Sequence, residues 1–267
     1  MHSGQLSINQ ATAETSGTDD LAVACRAAGI DQVSLWRHKY LGQDPARTAA
    51  TLRGHGLRVS SLCRGGFFTG TRPEQEAYED NRRAIEEAVI LGSPILVLVC
   101  GPAVGGDIAA AESAIRRGIE RILPAAGDAG VTLAVEPFHP MFLAERSAVV
   151  TLAQAHRLLD DLTDPALALA IDTYHVWWDP ALQAGLDRAA GRIAAVHVAD
   201  WLVPTPSMLA GRGLPGDGVI PLGDLLTRIE ATGFTGPVEV EVLNPDVWAR
   251  PVAEVTADVR DRMARLW

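Results

Sequence analysis

The sequence predicts an α/β fold, a single (β/α)8 TIM barrel. Short apolar runs alternate with longer segments of helical spacing, and eight such runs occur along the 267 residues. Glycine precedes many of the runs, in the joints AGI, HGL, LGS and AGV. No linker or shift in composition divides the chain. Since such barrels often use about 250 residues as one domain, we expect one domain over residues 1–267.

The eight runs are rich in leucine and β-branched residues, which favours strands. They cover residues 5–9, 32–36, 57–63, 94–100, 131–136, 167–172, 193–198 and 238–243. The clearest helical patterns between them cover residues 74–92 and 107–130. Each ends in a glycine, Gly92 or Gly130, at the position where glycine commonly ends a helix.

Composition narrows the class of protein. The formal net charge of −10 disfavours a nucleic-acid or anionic-membrane partner, since both require a basic face. No apolar run reaches the roughly 20 residues of a membrane helix, and the first ten residues do not resemble a signal peptide. We therefore expect a cytoplasmic protein. Cys25, Cys63 and Cys100 lie far apart, which predicts reduced, buried thiols.

Polar residues follow most of the predicted strands. The carboxyl ends of barrel strands form the active-site face, so these positions are candidates for function. They are Asn9, Trp36, Arg37, Cys63, Arg64, Cys100, Glu136, Asp172, His197 and Glu241.

The last four of these candidates come from four consecutive strands. Three carboxylates that meet beside an imidazole would repel one another without a cation, and a divalent metal ion resolves the repulsion. Oxygen ligands with one nitrogen suit Mn²⁺, Mg²⁺, Co²⁺ or Fe²⁺. The alternative is that each acid only caps the helix that follows it.

Five segments resemble successive motifs of the xylose isomerase-like TIM barrels. They are AVEPFHP (134–140), AIDTYHVWWDP (170–180), AAVHVADW (194–201), GRGLPGDGVI (211–220) and GFTGPVEVEVLN (233–244). This family includes ketose 3-epimerases, hydroxypyruvate isomerase, inosose dehydratase and, more distantly, zinc-dependent AP endonucleases. The resemblance covers essentially the whole chain. It implies one metal ion bound by Glu136, Asp172, His197 and Glu241, with Mn²⁺ preferred and Mg²⁺, Co²⁺, Fe²⁺ or Zn²⁺ as alternatives.

The resemblance also implies an acid/base pair. In the epimerases of this family, two metal-binding glutamates flank the substrate. One removes a proton beside a carbonyl and the other returns a proton, through an enediolate that the metal stabilises. Glu136 and Glu241 are the matching residues.

Other matching residues are expected around the substrate. His175 matches a histidine that contacts a substrate oxygen, and Arg212 matches an arginine placed over the substrate. Asp200 is expected to orient its neighbours. Glu239 shares a strand face with Glu241 because side chains alternate along a strand. We expect it one layer deeper, either paired with an arginine or supporting a metal ligand.

The chain departs from the ketose epimerases near the substrate. Phe142 stands where they usually carry a glutamate that binds sugar hydroxyls, and His139 lies close before it. Arg37 and Arg64 add positive charge to the rim, unless they simply face solvent. These features predict an acidic or modified sugar.

Adjacent Trp177 and Trp178 suggest an apolar wall against a sugar face, or packing of a helix on the barrel. The residues expected to bind substrate are His175, Arg212, His139, Arg64, Arg37 and Trp177.

The leading hypothesis is a metal-dependent isomerase or epimerase of a sugar or sugar-derived polyol. The alternatives are a metal-dependent dehydratase or lyase on a related keto-polyol, which would use the same metal and base, and a non-catalytic barrel. The acidic composition disfavours an AP endonuclease. The expected partner is a small sugar-like substrate, and the resemblance leaves a homo-oligomer open.

Overall fold

Eight parallel strands close into a barrel, as the sequence predicts. The computed structural model describes residues 3–40 and 42–266. The barrel strands are β1 (Leu6–Asn9), β2 (Gln32–Trp36), β3 (Arg58–Gly66), β4 (Ile95–Val99), β5 (Thr132–Val135), β6 (Leu167–Asp172), β7 (Ile193–Val198) and β10 (Val238–Val240). They follow one another around the barrel in chain order, and β10 closes it against β1. A short antiparallel pair, β8 (Asp200–Trp201) and β9 (Arg212–Gly213), follows β7.

Helices alternate with the strands. They are α1 (Thr18–Ala27), α2 (Pro45–Gly54), α3 (Glu74–Leu91), α4 (Ile108–Ala129), α5 (Leu152–Leu162), α6 (Thr173–Val176), α7 (Leu182–Arg188), α8 (Leu222–Ala231), α9 (Pro245–Trp248) and α10 (Val252–Leu266). Gly92 and Gly130 end α3 and α4 with φ of 72° and 66°, in the left-handed region that glycine adopts without strain. Both predicted helix ends are therefore confirmed.

β3 extends three residues beyond the predicted run. Gly65 and Gly66 continue its pairing with β4, opposite Leu98 and Val99. A Cβ on Gly66 would lie 2.0 Å from the carbonyl oxygen of Val99, so only glycine allows this close approach. The two glycines thus fix the position of the chain that follows Arg64.

The strands of the barrel carry two separate apolar layers. On β4, Leu96 and Leu98 belong to the core beneath the helices, whereas Ile95 and Val97 belong to a smaller cluster with residues of neighbouring strands. This division follows from the alternation of side chains along a strand. Full burial of each leucine contributes roughly 1.5–3 kcal/mol.

The three cysteines are free and buried, as expected. Among residues 3–40 and 42–266, no helix combines the length and the apolar character that a membrane crossing requires.

Candidate metal centre and active site

Four side chains converge at the carboxyl ends of adjacent strands. Glu136 follows β5, Asp172 ends β6, His197 lies in β7 and Glu241 follows β10. Because these strands are neighbours in the barrel, one ligand atom from each residue lies within 4.8 Å of the others. All four residues are buried. The structure therefore brings together the four residues that the sequence predicts as metal ligands.

His197 has carboxylates on both sides of its ring. Its Nδ1 lies 2.8 Å from Oε1 of Glu136 and 3.9 Å from Oε2 of Glu241. Its Nε2 lies 3.2 Å from Oε2 of Glu239, deeper in the barrel. In metal sites, the second nitrogen of a ligating histidine usually bonds to such a group, which fixes the ring. This arrangement leaves Nδ1 as the nitrogen for a metal ion.

Burial and negative charge set the electrostatics of the cluster. Burial raises the pKa of Glu136, and it raises the pKa of Asp172 to about 7. Burial lowers the pKa of His197, but the charges of Glu241 and Glu136 outweigh it and raise that pKa well above its usual value. A divalent cation would offset the negative charge. Three carboxylates and one imidazole fit Mn²⁺, Mg²⁺, Co²⁺, Fe²⁺ or Zn²⁺.

Arg212 is a fixed countercharge beside the cluster. Its Nη1 donates to Oδ2 of Asp172 at 3.0 Å and to Oε2 of Glu241 at 2.7 Å. Nδ2 of Asn244 donates to the backbone carbonyl of Arg212 at 2.8 Å. The guanidinium also lies 4.8 Å from the centre of the Tyr174 ring. Arg212 therefore orients Asp172 and Glu241, two of the four residues predicted to bind a metal ion.

His175 lies against Arg212 and is 1% exposed. Its Nε2 is 3.3 Å from Nη2 of Arg212, and its ring stacks on Phe138 with centroids 4.2 Å apart. Burial, reinforced by the charge of Arg212, lowers the pKa of His175 well below its usual value. The ring is therefore neutral, and Nε2 accepts the hydrogen bond. The structure places His175 against Arg212, which it supports. Contact of His175 with substrate stays a prediction.

Asn9 contacts the cluster from β1. Its Nδ2 donates to Oε1 of Glu241 at 2.9 Å. Its Oδ1 accepts from Nε1 of Trp36 at 2.7 Å and from the amide of Ala11 at 3.0 Å, which fixes the orientation of the side-chain amide. The sequence predicts that Asn9 lies at a strand end but indicates no role for it. The contact with Glu241 exists because β10 closes the barrel against β1.

Glu239 lies beneath the cluster in a network of serines. The hydroxyls of Ser60 and Ser61 donate to its two oxygens at 2.7 and 2.9 Å. Each hydroxyl is in turn 2.8 Å from a second buried serine, Ser7 for Ser60 and Ser34 for Ser61. From the sequence, Glu239 could either pair with an arginine or support a metal-binding residue. The contacts favour the supporting role, because the carboxylate faces His197 and two hydroxyls.

We expect Glu239→Gln to weaken binding of Mn²⁺ about 10- to 100-fold, the usual cost of losing the outer partner of a metal-binding histidine. Glutamine retains the volume and can still accept one of the two serine hydroxyls, but it loses the charge beside His197. Calorimetric titration of the metal-stripped proteins measures the change. Ser60→Ala is the matched control, since it removes one hydrogen bond to Glu239 and should cause a smaller loss. Equal affinity in wild type and Glu239→Gln would contradict a role in orienting His197.

A small cavity of about 30 Å³ lies beside the cluster and opens to solvent. Its charged wall residues are Arg64, Glu136, Arg146, Arg212 and Glu241. Burial lowers the pKa of Arg64 to about 10, so the side chain remains cationic at neutral pH. Sequence reasoning missed Arg146, which lies in the loop after β5. No local pattern marks it, because its position depends on pairing of this loop with the segment after β4.

Arg37 does not supply a free positive charge at the rim, contrary to the expectation from the sequence. Its Nε donates to Oε2 of Glu87 at 2.8 Å, and its Nη2 donates to Oδ1 of Asp80 at 3.1 Å. Both carboxylates come from α3. Asp80 lies 43 residues and Glu87 lies 50 residues after Arg37 in the chain. They neutralise the guanidinium and tie the end of β2 to this helix.

Asp200 shapes the loop around Arg212. Its Oδ1 accepts from the amides of Trp201 at 2.8 Å and Ile220 at 3.0 Å. Its Oδ2 accepts from the amide of Gly216 at 3.0 Å. The carboxylate thus orients backbone amides of its neighbours.

His139 and Trp177 belong to an aromatic cluster around Trp201. The ring of Trp201 lies 5.0 Å from that of His139 and 5.7 Å from that of Trp177. Trp178 is 5.6 Å from His139. Within the described part of the chain, the cavity wall includes neither His139 nor Trp177. Contact of these two residues with substrate stays a prediction.

Known proteins resemble this chain in sequence and in fold. A 3-dehydroshikimate dehydratase of Pseudomonas putida is 27% identical over 260 residues, which are 93% of this chain and 40% of that protein. The chain therefore spans about two fifths of this curated relative.

Solved structures resemble the whole chain. A protein of Sinorhizobium meliloti 1021 is 43% identical, with a TM-score of 0.94 and 99% of both chains covered. The IOLI protein, solved with a bound zinc atom, is 20% identical in sequence. Its structure has a TM-score of 0.86, and the match covers 98% of this chain and 97% of that chain. The model of the xylose isomerase-like TIM barrel family matches residues 22–266. This chain belongs to the xylose isomerase-like TIM barrel family.

Proposed function

We propose that the protein is a divalent-metal-dependent dehydratase that removes water from a hydroxylated ketone. The observation that carries the proposal is the buried cluster of three carboxylates and one imidazole, two of whose glutamates line a cavity. The curated relative supports a dehydratase at least as well as an isomerase or epimerase, the reaction that the sequence alone favours. We therefore place the dehydratase first.

The proposed metal ion would polarise a carbonyl and offset negative charge that develops on its oxygen. Mn²⁺ is our first choice and Zn²⁺ the main alternative, since a structural neighbour contains zinc. Glu136, Asp172, His197 and Glu241 would hold the ion.

Glu136 is suited to removing a proton. Its Oε1 faces His197 at 2.8 Å, and Oε2 has no hydrogen-bond donor among residues 3–40 and 42–266. Both oxygens of Glu241 have donors, Asn9 and Arg212. In the proposed elimination, Glu136 takes a proton that the ketone makes acidic, and the C–O bond to a β-hydroxyl breaks. The departing hydroxide takes a proton from the protonated carboxyl group of Glu136 or Glu241 and leaves as water.

An isomerase or epimerase is the second candidate, because it begins with the same proton abstraction. Glu136 and Glu241 line one cavity, so one could remove a proton and the other return it. Phe142 weighs against a simple ketose: it is 1% exposed and its ring packs 5.5 Å from that of His175. A phenyl ring there offers no hydrogen bond to a sugar hydroxyl.

A substrate panel tests the proposal. We expect the metal-loaded protein to dehydrate 3-dehydroshikimate, a ring ketone whose loss of water yields an aromatic dihydroxybenzoate with strong ultraviolet absorption. Fructose and psicose, as neutral ketoses, should be turned over far more slowly. Interconversion of the neutral ketoses without dehydration of 3-dehydroshikimate would favour the second candidate. Metal-stripped protein is the control, and its activity should return when Mn²⁺ is added.

A further inference from the structure

Two arginines in the cavity wall have no acidic partner. Among residues 3–40 and 42–266, the guanidinium groups of Arg64 and Arg146 form no salt bridge and no hydrogen bond, although both line the same cavity as Glu136. Arg64 lies 4.1 Å from the centre of the Phe67 ring, which holds it by a cation–π contact. Both side chains are half-buried. These two are therefore available to an anion from outside the chain.

The backbone around Arg64 is rigidly built. Asn81 accepts from the amide of Gly66 at 2.6 Å and donates to its carbonyl at 2.8 Å. Next along the chain, Phe67 donates from its amide to the carbonyl of Val99 at 2.7 Å. Phe67 has a φ of 52°, an uncommon conformation for a residue other than glycine. The fold keeps this conformation, and the ring faces the guanidinium of Arg64.

Arg146 reaches the same place from another loop. Its carbonyl accepts from the amide of Gly101 at 3.0 Å, and the amide of Ala148 donates to the carbonyl of Gly101 at 2.7 Å. A Cβ on Gly101 would lie 2.4 Å from the hydroxyl of Thr69, so this crossing also requires glycine. The loops after β3 and β5 are thus both anchored on the segment that follows β4, and they bring the two arginines together.

The site combines buried carboxylates with cationic side chains. Four carboxylates lie in and under the cluster, those of Glu136, Asp172, Glu239 and Glu241. Arg64, Arg146 and Arg212 supply three positive charges.

We propose that Arg64 and Arg146 form a carboxylate-binding subsite, which orients a monocarboxylate substrate with its reacting carbon toward Glu136. This inference rests on the proposed metal-dependent dehydration and specifies the substrate class of the same site. Arginine suits the task because its planar fork matches the two oxygens of a carboxylate.

Binding of two matched probes tests the subsite without turnover. The probes are 3,4-dihydroxybenzoate and its neutral amide, 3,4-dihydroxybenzamide, titrated calorimetrically into Mn²⁺-loaded protein. Wild type should bind the carboxylate at least about tenfold more tightly, since a charge-assisted contact is replaced by a neutral one in the amide. Arg64→Met and Arg146→Met should each remove most of this preference and leave the affinity for the amide unchanged. Arg146→Lys should retain part of it.

Arg116→Met is the control, because this arginine pairs with Glu120 on the surface of α4. It should keep the full preference. Thermal melting and metal content show whether each variant is folded and loaded. Equal affinity of wild type for the two probes, no carboxylate binding at millimolar concentration, or an unchanged preference in both methionine variants would overturn the subsite. A preference that depends on both arginines, in a protein that does not dehydrate 3-dehydroshikimate, would sustain the subsite and reject the proposed reaction.

Discussion

The Glu136→Gln enzyme should turn over 3-dehydroshikimate about 10²- to 10⁴-fold more slowly than wild type, the usual contribution of a positioned general base. Glutamine retains an oxygen for the metal ion and the contact with His197, but it cannot accept the proton. Glu241→Gln should also lower turnover by orders of magnitude, because this residue contacts Asn9 and Arg212 and belongs to the proposed acid/base pair. Steady-state kinetics under metal-saturating conditions measure both effects.

Glu145→Gln is the control for these variants. Glu145 lies in the loop after β5, exposed to solvent, so its loss of charge should not change turnover. Metal content distinguishes loss of the base from loss of the ion. Exchange of deuterium from D₂O into recovered substrate reports the proton abstraction directly, and Glu136→Gln should slow it. Wild-type turnover in a metal-loaded Glu136→Gln protein would remove Glu136 from the chemistry.

The strands and the metal cluster could be predicted from sequence because both depend on local patterns combined with one global rule. A run such as residues 167–172 is apolar enough to be a buried strand, and its last residue, Asp172, then lies at the active-site face. The closed barrel brings the ends of neighbouring strands together. Four strand ends were therefore sufficient to predict the cluster at 136, 172, 197 and 241.

The partners of individual side chains were not predictable in the same way. Ser60 lies 179 residues from Glu239 in the chain, and their hydrogen bond exists only inside the closed barrel. Arg37 looks like a rim cation in sequence, but α3 brings Glu87 to it from 50 residues away. Arg146 shows the opposite case. It lines the cavity, although no motif near it in sequence indicates this. A charged residue at a strand end can thus be placed at the active-site face from sequence. Whether another side chain neutralises its charge depends on long-range packing, which the sequence does not show.

His197→Ala should lose most of its bound metal, since it removes the sole nitrogen among the four proposed ligands. Wild type should gain thermal stability from Mn²⁺. At a concentration 100 times the dissociation constant, binding to the folded state alone stabilises it by about 2.7 kcal/mol. For a chain of this size that corresponds to a rise in Tm of roughly 5–11 °C, and EDTA should reverse it. The variant should show little of this increase, because its remaining carboxylates bind Mn²⁺ more weakly.

The variant also leaves Glu136 and Glu239 facing a space without the imidazole, so its metal-free Tm should itself fall. The comparison that matters is therefore the increase in Tm with metal, measured for each protein against its own metal-free state. His156→Ala is the matched control: His156 is equally buried, but its Nε2 bonds to the carbonyl of Gly185 at 2.8 Å on the helical layer. Its removal should lower the metal-free Tm and preserve the increase with Mn²⁺. A wild type that contains no metal by mass spectrometry, and whose Tm responds to neither Mn²⁺ nor Zn²⁺, would contradict the metal site and with it the proposed reaction.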